Sequence, residues 1–352
     1  MSLVDRFRLT VPLLQAPMAG VATPLLAAAV CEAGALGAIA VGATDAAGAR
    51  AMIDELRDRT ARPFNVNLFV HPAPHGDAAR AAAWLERLAP LFAAQGAVPP
   101  ATLRAPYRGL AEDPDMAALL LDRAPPVVSF HFGLPDAALV TALRARGVYL
   151  IATVTSPAEA DAAAAAGMDA VVAQGIEAGG HRGTFDPAAP DAALGTIALT
   201  RLLVRAARLP VIAAGGIMDG AGIAAALDLG AVAAQLGTAF IACPESAADA
   251  GYRAALAGPG ATRTAMTALI SGRPARALGN RFTALAATLA DLTPPDYPIA
   301  YDAGKALHAA ARARGEHGYG AHWAGQGAPL ARALPAGALV ATLRDEWRRA
   351  RG

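Results

Sequence analysis

The sequence predicts an α/β protein built as a (β/α)8 TIM barrel, with a smaller inserted and C-terminal subdomain over the barrel mouth. Three observations predict it. Eight short apolar runs rich in Val, Ile and Ala recur along the chain. Helix-length Ala/Leu segments separate them, which implies right-handed crossovers and a parallel sheet. Two proline-rich stretches break the alternation and read as insertions. Eight units suit a closed barrel; a doubly wound open sheet is the structural alternative.

The expected strands, in order, are 12–16 (PLLQA), 36–41 (LGAIAV), 64–70 (FNVNLFV), 127–132 (VVSFHF), 148–154 (VYLIATV), 169–174 (DAVVAQ), 210–214 (PVIAA) and 231–236 (AVAAQL). The first needs justification, because Leu9 to Cys31 carries no charge and resembles a signal or membrane segment. Pro12, Pro17 and Pro24, with Gly20 between them and Gln15 polar, would interrupt a continuous helix, so the segment reads as strand, turn and helix. The irregular stretches are 71–114, which contains HPAPHGD, and about 245–320, which contains LTPPDYPIAYDAGK. They divide the chain into a barrel of 1–70 and 115–244 with about 321–352, and a lid of 71–114 and 245–320. The end of the chain, ALVATLRDEWRRARG, reads as a final amphipathic helix.

Composition excludes several classes. The 352 residues are 55% hydrophobic and 17% charged with a net charge of +1, a globular balance. No Lys/Arg run suggests a nucleic-acid or anionic-lipid partner. Cys31 and Cys243 match no disulfide or zinc spacing, so a reducing cytoplasm is the default expectation and no metal is expected. Lys305 is the only lysine among 30 basic residues. It sits where a compact ammonium is needed and a planar guanidinium will not serve, or it is a chance lysine on a helix surface.

Function in such a barrel gathers at the carboxyl ends of the strands, and the unusual residues fall there. QAPMAG follows the first strand, Asn67 lies in the third, His131 in the fourth, and QGIEAGGHRG follows the sixth. Gly215-Gly216 and Gly237-Thr238, after strands seven and eight, can offer bare backbone N–H groups to a phosphate, aided by a following helix N-terminus and the Thr238 hydroxyl. The alternative is that these glycines only permit tight turns. Asn67 and Gln174 are carboxamides on apolar strands and need partners; a planar heteroaromatic ring or the barrel's own backbone would supply them. An imidazole titrates near ~6.5, which makes His131 and His181 candidate general bases. The other five histidines lie in loops or insertions, with no catalytic role assigned.

Taken in order, QAPMAG, NVNLF, VSFHFG, QGIEAGGHRG, AAGGI and QLGTAF resemble the nitronate monooxygenases, formerly 2-nitropropane dioxygenases, from about residue 10 to about 330. Members of that family are FMN-dependent barrel enzymes that oxidise alkyl nitronates with dioxygen to a carbonyl compound and nitrite. The resemblance implies cofactor contacts at Ala16, Pro17, Met18, Asn67, Gln174, Gly179, Gly180, Gly215 and Gly216, with Gln235, Leu236, Gly237 and Thr238 at the phosphate. It implies His181 as the catalytic histidine and His131 as a second active-site histidine. Tyr297, Tyr301 and Lys305 match the tyrosines and lysine that the first class of the family brings in from its C-terminal insertion. The implied partners are a small nitronate, such as propionate 3-nitronate, and O2, in a monomer or homodimer. Two alternatives remain: an NAD(P)H-dependent quinone or enoyl-thioester reductase on the same scaffold, and a flavin-free lyase or isomerase of a phosphorylated metabolite.

Overall fold

The computed structural model describes residues 3–352. All eight expected strands form: Leu13–Gln15, Ala38–Ala40, Asn65–Phe69, Val127–His131, Tyr149–Val154, Ala170–Gln174, Val211–Ala214 and Ala233–Leu236. Each pairs in parallel with its neighbour in sequence, and the first pairs with the last in register Leu14↔Gln235. A parallel bridge between Leu14 and Leu36 joins the remaining two edges. The ring therefore closes, and the (β/α)8 barrel, not the open sheet, is the architecture.

Alternation along the strands explains what lies inside. On the third strand Val66 and Leu68 point outward into the apolar layer under the helices, while Asn65 and Asn67 point inward. The lower barrel is filled by Leu14, Val127, Ile151, Val172 and Ile212, so only its upper end is open to chemistry. The crossover helices begin where short polar residues cap them: Thr23, Asp45, Asp136, Ser156 and Asp219 each accept from a backbone N–H of the first turn. The chain end forms the helix Ala336–Ala350, which packs against the helices Pro24–Glu32 and Gly220–Asp228 through Leu339, Val340 and Leu343. It takes the place of an eighth crossover helix, and residues 322–335 lead into it as loop and short turn.

The two irregular stretches meet. The helix Ala78–Ala94 lays Trp84, Leu88 and Phe92 against Ile270, Phe282 and Leu307, and Arg80–Asp296 at 2.8 Å adds a cross-link. A small antiparallel sheet lies beside the mouth, with strands Thr264–Thr267, Ala275–Leu278 and Gly180–His181. Its third strand comes from the barrel's own loop after strand six, paired Ala275↔His181 and Arg276↔Gly180. Trp323 bridges to Ala277 on the same sheet. Among the described residues no helix is long and apolar enough to cross a membrane.

Candidate active site

A cavity of about 370 Å³ opens at the carboxyl ends of the strands, between barrel and lid. It gathers Ala16, Pro17, Met18, Asn67, His131, Gln174, Gly179, Gly180 and His181 from the first six units. Gly215, Gly216, Gln235, Gly237 and Thr238 come from the last two, and Tyr297, Tyr301 and Lys305 from the lid. Leu236 is the exception. Strand alternation turns its side chain outward into an apolar cluster with Leu13, Leu26 and Ala239, and its carbonyl is taken by the Ala16 N–H at 2.8 Å.

The turn after strand six places His181 by several independent ties. Arg182 is buried, forks onto the Asp191 carboxylate at 2.7 and 3.0 Å, and donates to the Gln174 carbonyl. Gln174 donates from Nε2 to the His181 carbonyl at 3.0 Å and accepts at Oε1 from the Gly183 N–H at 2.8 Å. The buried carboxamide is thus satisfied by the turn's own backbone, the simpler of its two expected partners. Gly179 is required where it stands: a Cβ there would lie 2.4 Å from the Gly325 nitrogen. Gly180 takes a φ of +77°, a left-handed value that favours glycine.

The ring of His181 is anchored as well. Its Nε2 lies 2.9 Å from Ser271 Oγ, and that hydroxyl donates to the Arg273 carbonyl at 3.1 Å. With the serine proton on the carbonyl, His181 carries its own hydrogen on Nε2, which leaves Nδ1 as the lone-pair nitrogen. Burial, then the neighbouring His131, Arg273 and His71, lowers the His181 pKa to about 3. His131 is lowered to about 4, chiefly by burial, and its Nε2 lies 3.1 Å from the His181 carbonyl. Around His181 stand Tyr297 at 5.2 Å, Trp323 at 5.0 Å and Tyr301 at 6.3 Å between ring centroids. Burial raises the pKa of both tyrosines, so they remain neutral phenols.

The other end of the cavity is backbone. Gly215 and Gly216 have φ of +127° and +71°, and their peptides line the cavity with no side chain between. The helix following strand seven does not offer its N-terminus: Asp219 caps it, accepting from Gly222 N–H at 2.8 Å. The helix after strand eight is a single turn, Thr238–Ile241. An anion placed here would therefore meet the loop peptides and Thr238, whose oxygen accepts from Gly325 N–H at 3.0 Å and keeps its own proton to donate. Asn67 spends Nδ2 on Ser129, at 2.9 Å to Oγ and 3.1 Å to O, and keeps Oδ1 as an acceptor beside the cavity.

Lys305 stands at the mouth with Nζ 4.5 Å above the ring centroid of Tyr107 and 5.1 Å from that of Tyr301. No carboxylate among the described residues lies within 4 Å of it. Sequence reasoning missed Tyr107, Tyr252 and Trp323 in the lining, and Ser271 and Arg273 behind it. All five belong to or contact the lid, where position in sequence says little about position in space.

Comparison with known proteins bears on this geometry. The family model described as nitronate monooxygenase matches residues 2–346. A nitronate monooxygenase of Paraburkholderia phytofirmans is 61% identical over 335 residues, covering 95% of this chain and 92% of that protein. One of Pseudomonas aeruginosa is 57% identical over 339 residues, 96% of each. A solved structure of nitroalkane oxidase from Streptomyces ansochromogenes superposes with a TM-score of 0.90 at 44% identity, covering 99% of this chain and 98% of that one.

Proposed function

Since this chain belongs to the nitronate monooxygenase family and is an oxidoreductase of that kind, we propose that it uses FMN and O2 to oxidise alkyl nitronates, propionate 3-nitronate among them, to a carbonyl compound and nitrite. The observation that carries this reading is the Ser271–His181 pair at 2.9 Å, which presents a neutral imidazole with a free Nδ1 to a cavity ending in bare glycine peptides.

The residues present fit FMN. Gly215, Gly216, Gly237 and the Thr238 hydroxyl would hold its phosphate, and Asn67 Oδ1 would hold a polar edge of its ring. A Cβ on Gly237 would come within 3.3 Å of Ala16 and 3.7 Å of Met18, so a side chain there would occupy space the cavity uses. Among the described residues none of the fold's strand-to-helix turns carries a dinucleotide fingerprint, which favours a mononucleotide. Bound there, FMN supplies the electron acceptor and the means of passing electrons to O2.

The chain's own contribution is position, proton transfer and charge. With a neutral nitroalkane, His181 Nδ1 takes the α-proton; the C–H electron pair becomes the C=N bond of the nitronate as the N=O π pair moves onto a nitro oxygen, and the imidazolium is held by Ser271. A preformed nitronate needs no such step and is only positioned. Neutral Tyr297 and Tyr301 wall the site with Trp323, and Lys305 offers a cation to a second negative group on the substrate. Residues 71–114 and 245–320 serve as the lid that excludes water.

The test is nitrite release with oxygen uptake on propionate 3-nitronate, run beside NADH oxidation. Denaturation should release FMN, and Gly237→Ala should emerge folded but depleted of it. A colourless protein that takes up no flavin, or one that oxidises NADH and ignores nitronates, would sink the reading.

A further inference from the structure

Phe132 is the hub of the site, and its backbone is strained. It has φ +78°, a conformation that a bulky residue rarely adopts. Its ring centroid lies 4.5 Å from that of His131, 5.6 Å from His181, 5.3 Å from Tyr297 and 6.4 Å from His71. On the remaining side the Arg273 guanidinium carbon stands 4.2 Å from the same centroid. One cation and three imidazoles are thus packed around one aromatic ring.

Among the described residues that cation has no ion-pair partner. Arg273 is 2% exposed, donates from Nη2 to the Thr184 carbonyl, and has a buried Nε with nothing to bond. No carboxylate among the described residues is within 4 Å of it. The groups that act on it from further away are Tyr297 first, then the carboxylates of Glu159 and Asp186. Glu159 is committed to the Thr155 N–H and hydroxyl and to the Phe185 N–H, and Asp186 accepts from the Ala188 N–H. The nearby Arg182 is neutralised by Asp191. Burial lowers the guanidinium's pKa to about 10, which leaves it charged at neutral pH. A buried charge without a partner is costly, and proteins keep one where the charge is used.

We propose that Arg273 supplies the fixed positive potential of this active site, under which His181 works as a neutral base and an anionic nitronate is held. It is a positioning residue: it does not line the cavity and acts through the groups around Phe132. The inference rests on the nitronate reading for its substrate half and on geometry alone for its histidine half. Adding the two legs through the Phe132 ring puts each of His131 and His181 within about 10 Å of the charge. At an effective dielectric near ~20, a unit charge at that distance moves a titration by about one pH unit and an anion's affinity by roughly tenfold. The other groups facing His181 are His131, His71, Tyr297 and Tyr301, all neutral at working pH, while the Lys305 cation lies behind Tyr301, within about 11 Å by the same addition, and is unchanged in every variant compared.

The experiment compares Arg273→Met, which removes the charge, with Arg273→Lys, which keeps it; Arg273→Gln replaces the first if the methionine protein does not fold. In the flavin-loaded protein, ring-labelled histidine NMR, assigned by the loss of one signal in His181→Asn, follows the His181 titration. The acid limb of kcat/KM for nitroethane and the KM for ethyl nitronate follow function. The expected result for Arg273→Met is that titration and acid limb both move up by about one unit and KM rises roughly tenfold, with kcat falling less. Arg273→Lys should restore both. A His181 titration that stays in place in folded Arg273→Met overturns the proposal, as does a lysine variant as damaged as the methionine one. Should the wild-type protein oxidise no nitronate at all, the nitronate reading falls, and the NMR titration still decides Arg273.

Discussion

His131 holds His181 by its backbone: the imidazole Nε2 of the first donates to the carbonyl of the second at 3.1 Å, and Gln174 Nε2 reaches the same oxygen at 3.0 Å. The hydrogen on His131 Nε2 is thereby committed, and its burial keeps the ring neutral. This bond predicts that His131 aims His181 and is not itself the base, although its Nδ1 keeps a lone pair. His131→Phe leaves the carbonyl one donor of two, so unfolding stability should fall by about 0.5–1.5 kcal/mol. Because that carbonyl belongs to the turn that also carries Gly179 and Gly180 of the cavity wall, the shift reaches every substrate, and kcat/KM for nitroethane and for ethyl nitronate should fall together. A loss confined to nitroethane would make His131 a base.

His181→Asn should do the opposite and separate the two substrates. Nitroethane needs its α-proton removed and should lose roughly 10²–10⁴-fold in rate. Ethyl nitronate has already lost that proton, so its decline should be much smaller. The measurement is steady-state oxygen uptake on both compounds with one preparation. Equal losses would mean that the ring at 2.9 Å from Ser271 positions the substrate and does not accept the proton.

The barrel was legible because each strand is a short apolar run bounded by helix-length segments, and all eight runs became strands within a few residues of the expected limits. The glycines of the cavity were legible for the same reason, since they sit at strand ends whose location the fold dictates. Gln174 was visible but ambiguous: a carboxamide on an apolar strand reads alike whether a ligand or the His181–Gly183 turn satisfies it. Ser271, Arg273, Tyr107 and Trp323 were not legible. Ser271 and Arg273 reach the site on the turn between two antiparallel strands, about 90 residues from the His181 turn; Tyr107 comes from the first irregular stretch, and Trp323 from the loop before the last helix. Local pattern carries no record of such contacts.

Acid should unfold this protein through its histidines. His131 and His322 are lowered to about 4 and His181 to about 3, each chiefly by burial. An unfolded histidine titrates near ~6.5, so between that pH and the folded values the unfolded chain binds more protons than the native one. Stability from these groups is therefore complete above about pH 6.5 and lost progressively as pH falls toward the folded pKa values. His322 isolates the effect: it stacks on Tyr252 at 4.8 Å, and both its ring nitrogens are buried without partners. The urea midpoint should be flat from pH 7 to 8 and should decline from 6.5 to 5, above the main carboxylate range. His322→Phe keeps the stack and should flatten that decline. An unchanged slope would show that His322 is not held neutral.

Lys305 bears on which nitronate the cavity selects. Its ammonium rests 4.5 Å over Tyr107 and 5.1 Å from Tyr301, so two aromatic faces hold it in place without neutralising it. Asp302, one turn away on the same helix, is committed to the Arg104 N–H at 3.0 Å. A cation so placed at the mouth suits a carboxylate carried by the substrate, and propionate 3-nitronate has one where ethyl nitronate does not. Lys305→Met should therefore raise KM for propionate 3-nitronate by roughly tenfold or more and leave that for ethyl nitronate nearly unchanged. Lys305→Arg keeps the charge but brings a wider, planar group into the space between the two rings, so it should recover only part of the loss. Tyr107→Leu offers a further check, because it leaves the lysine in place but removes one face that orients it; KM for the carboxylate-bearing substrate should again rise selectively. Equal damage to both substrates in Lys305→Met would put the ammonium beside the nitronate group and rule out carboxylate recognition. No change in either would leave Lys305 as a helix residue that merely covers two tyrosines.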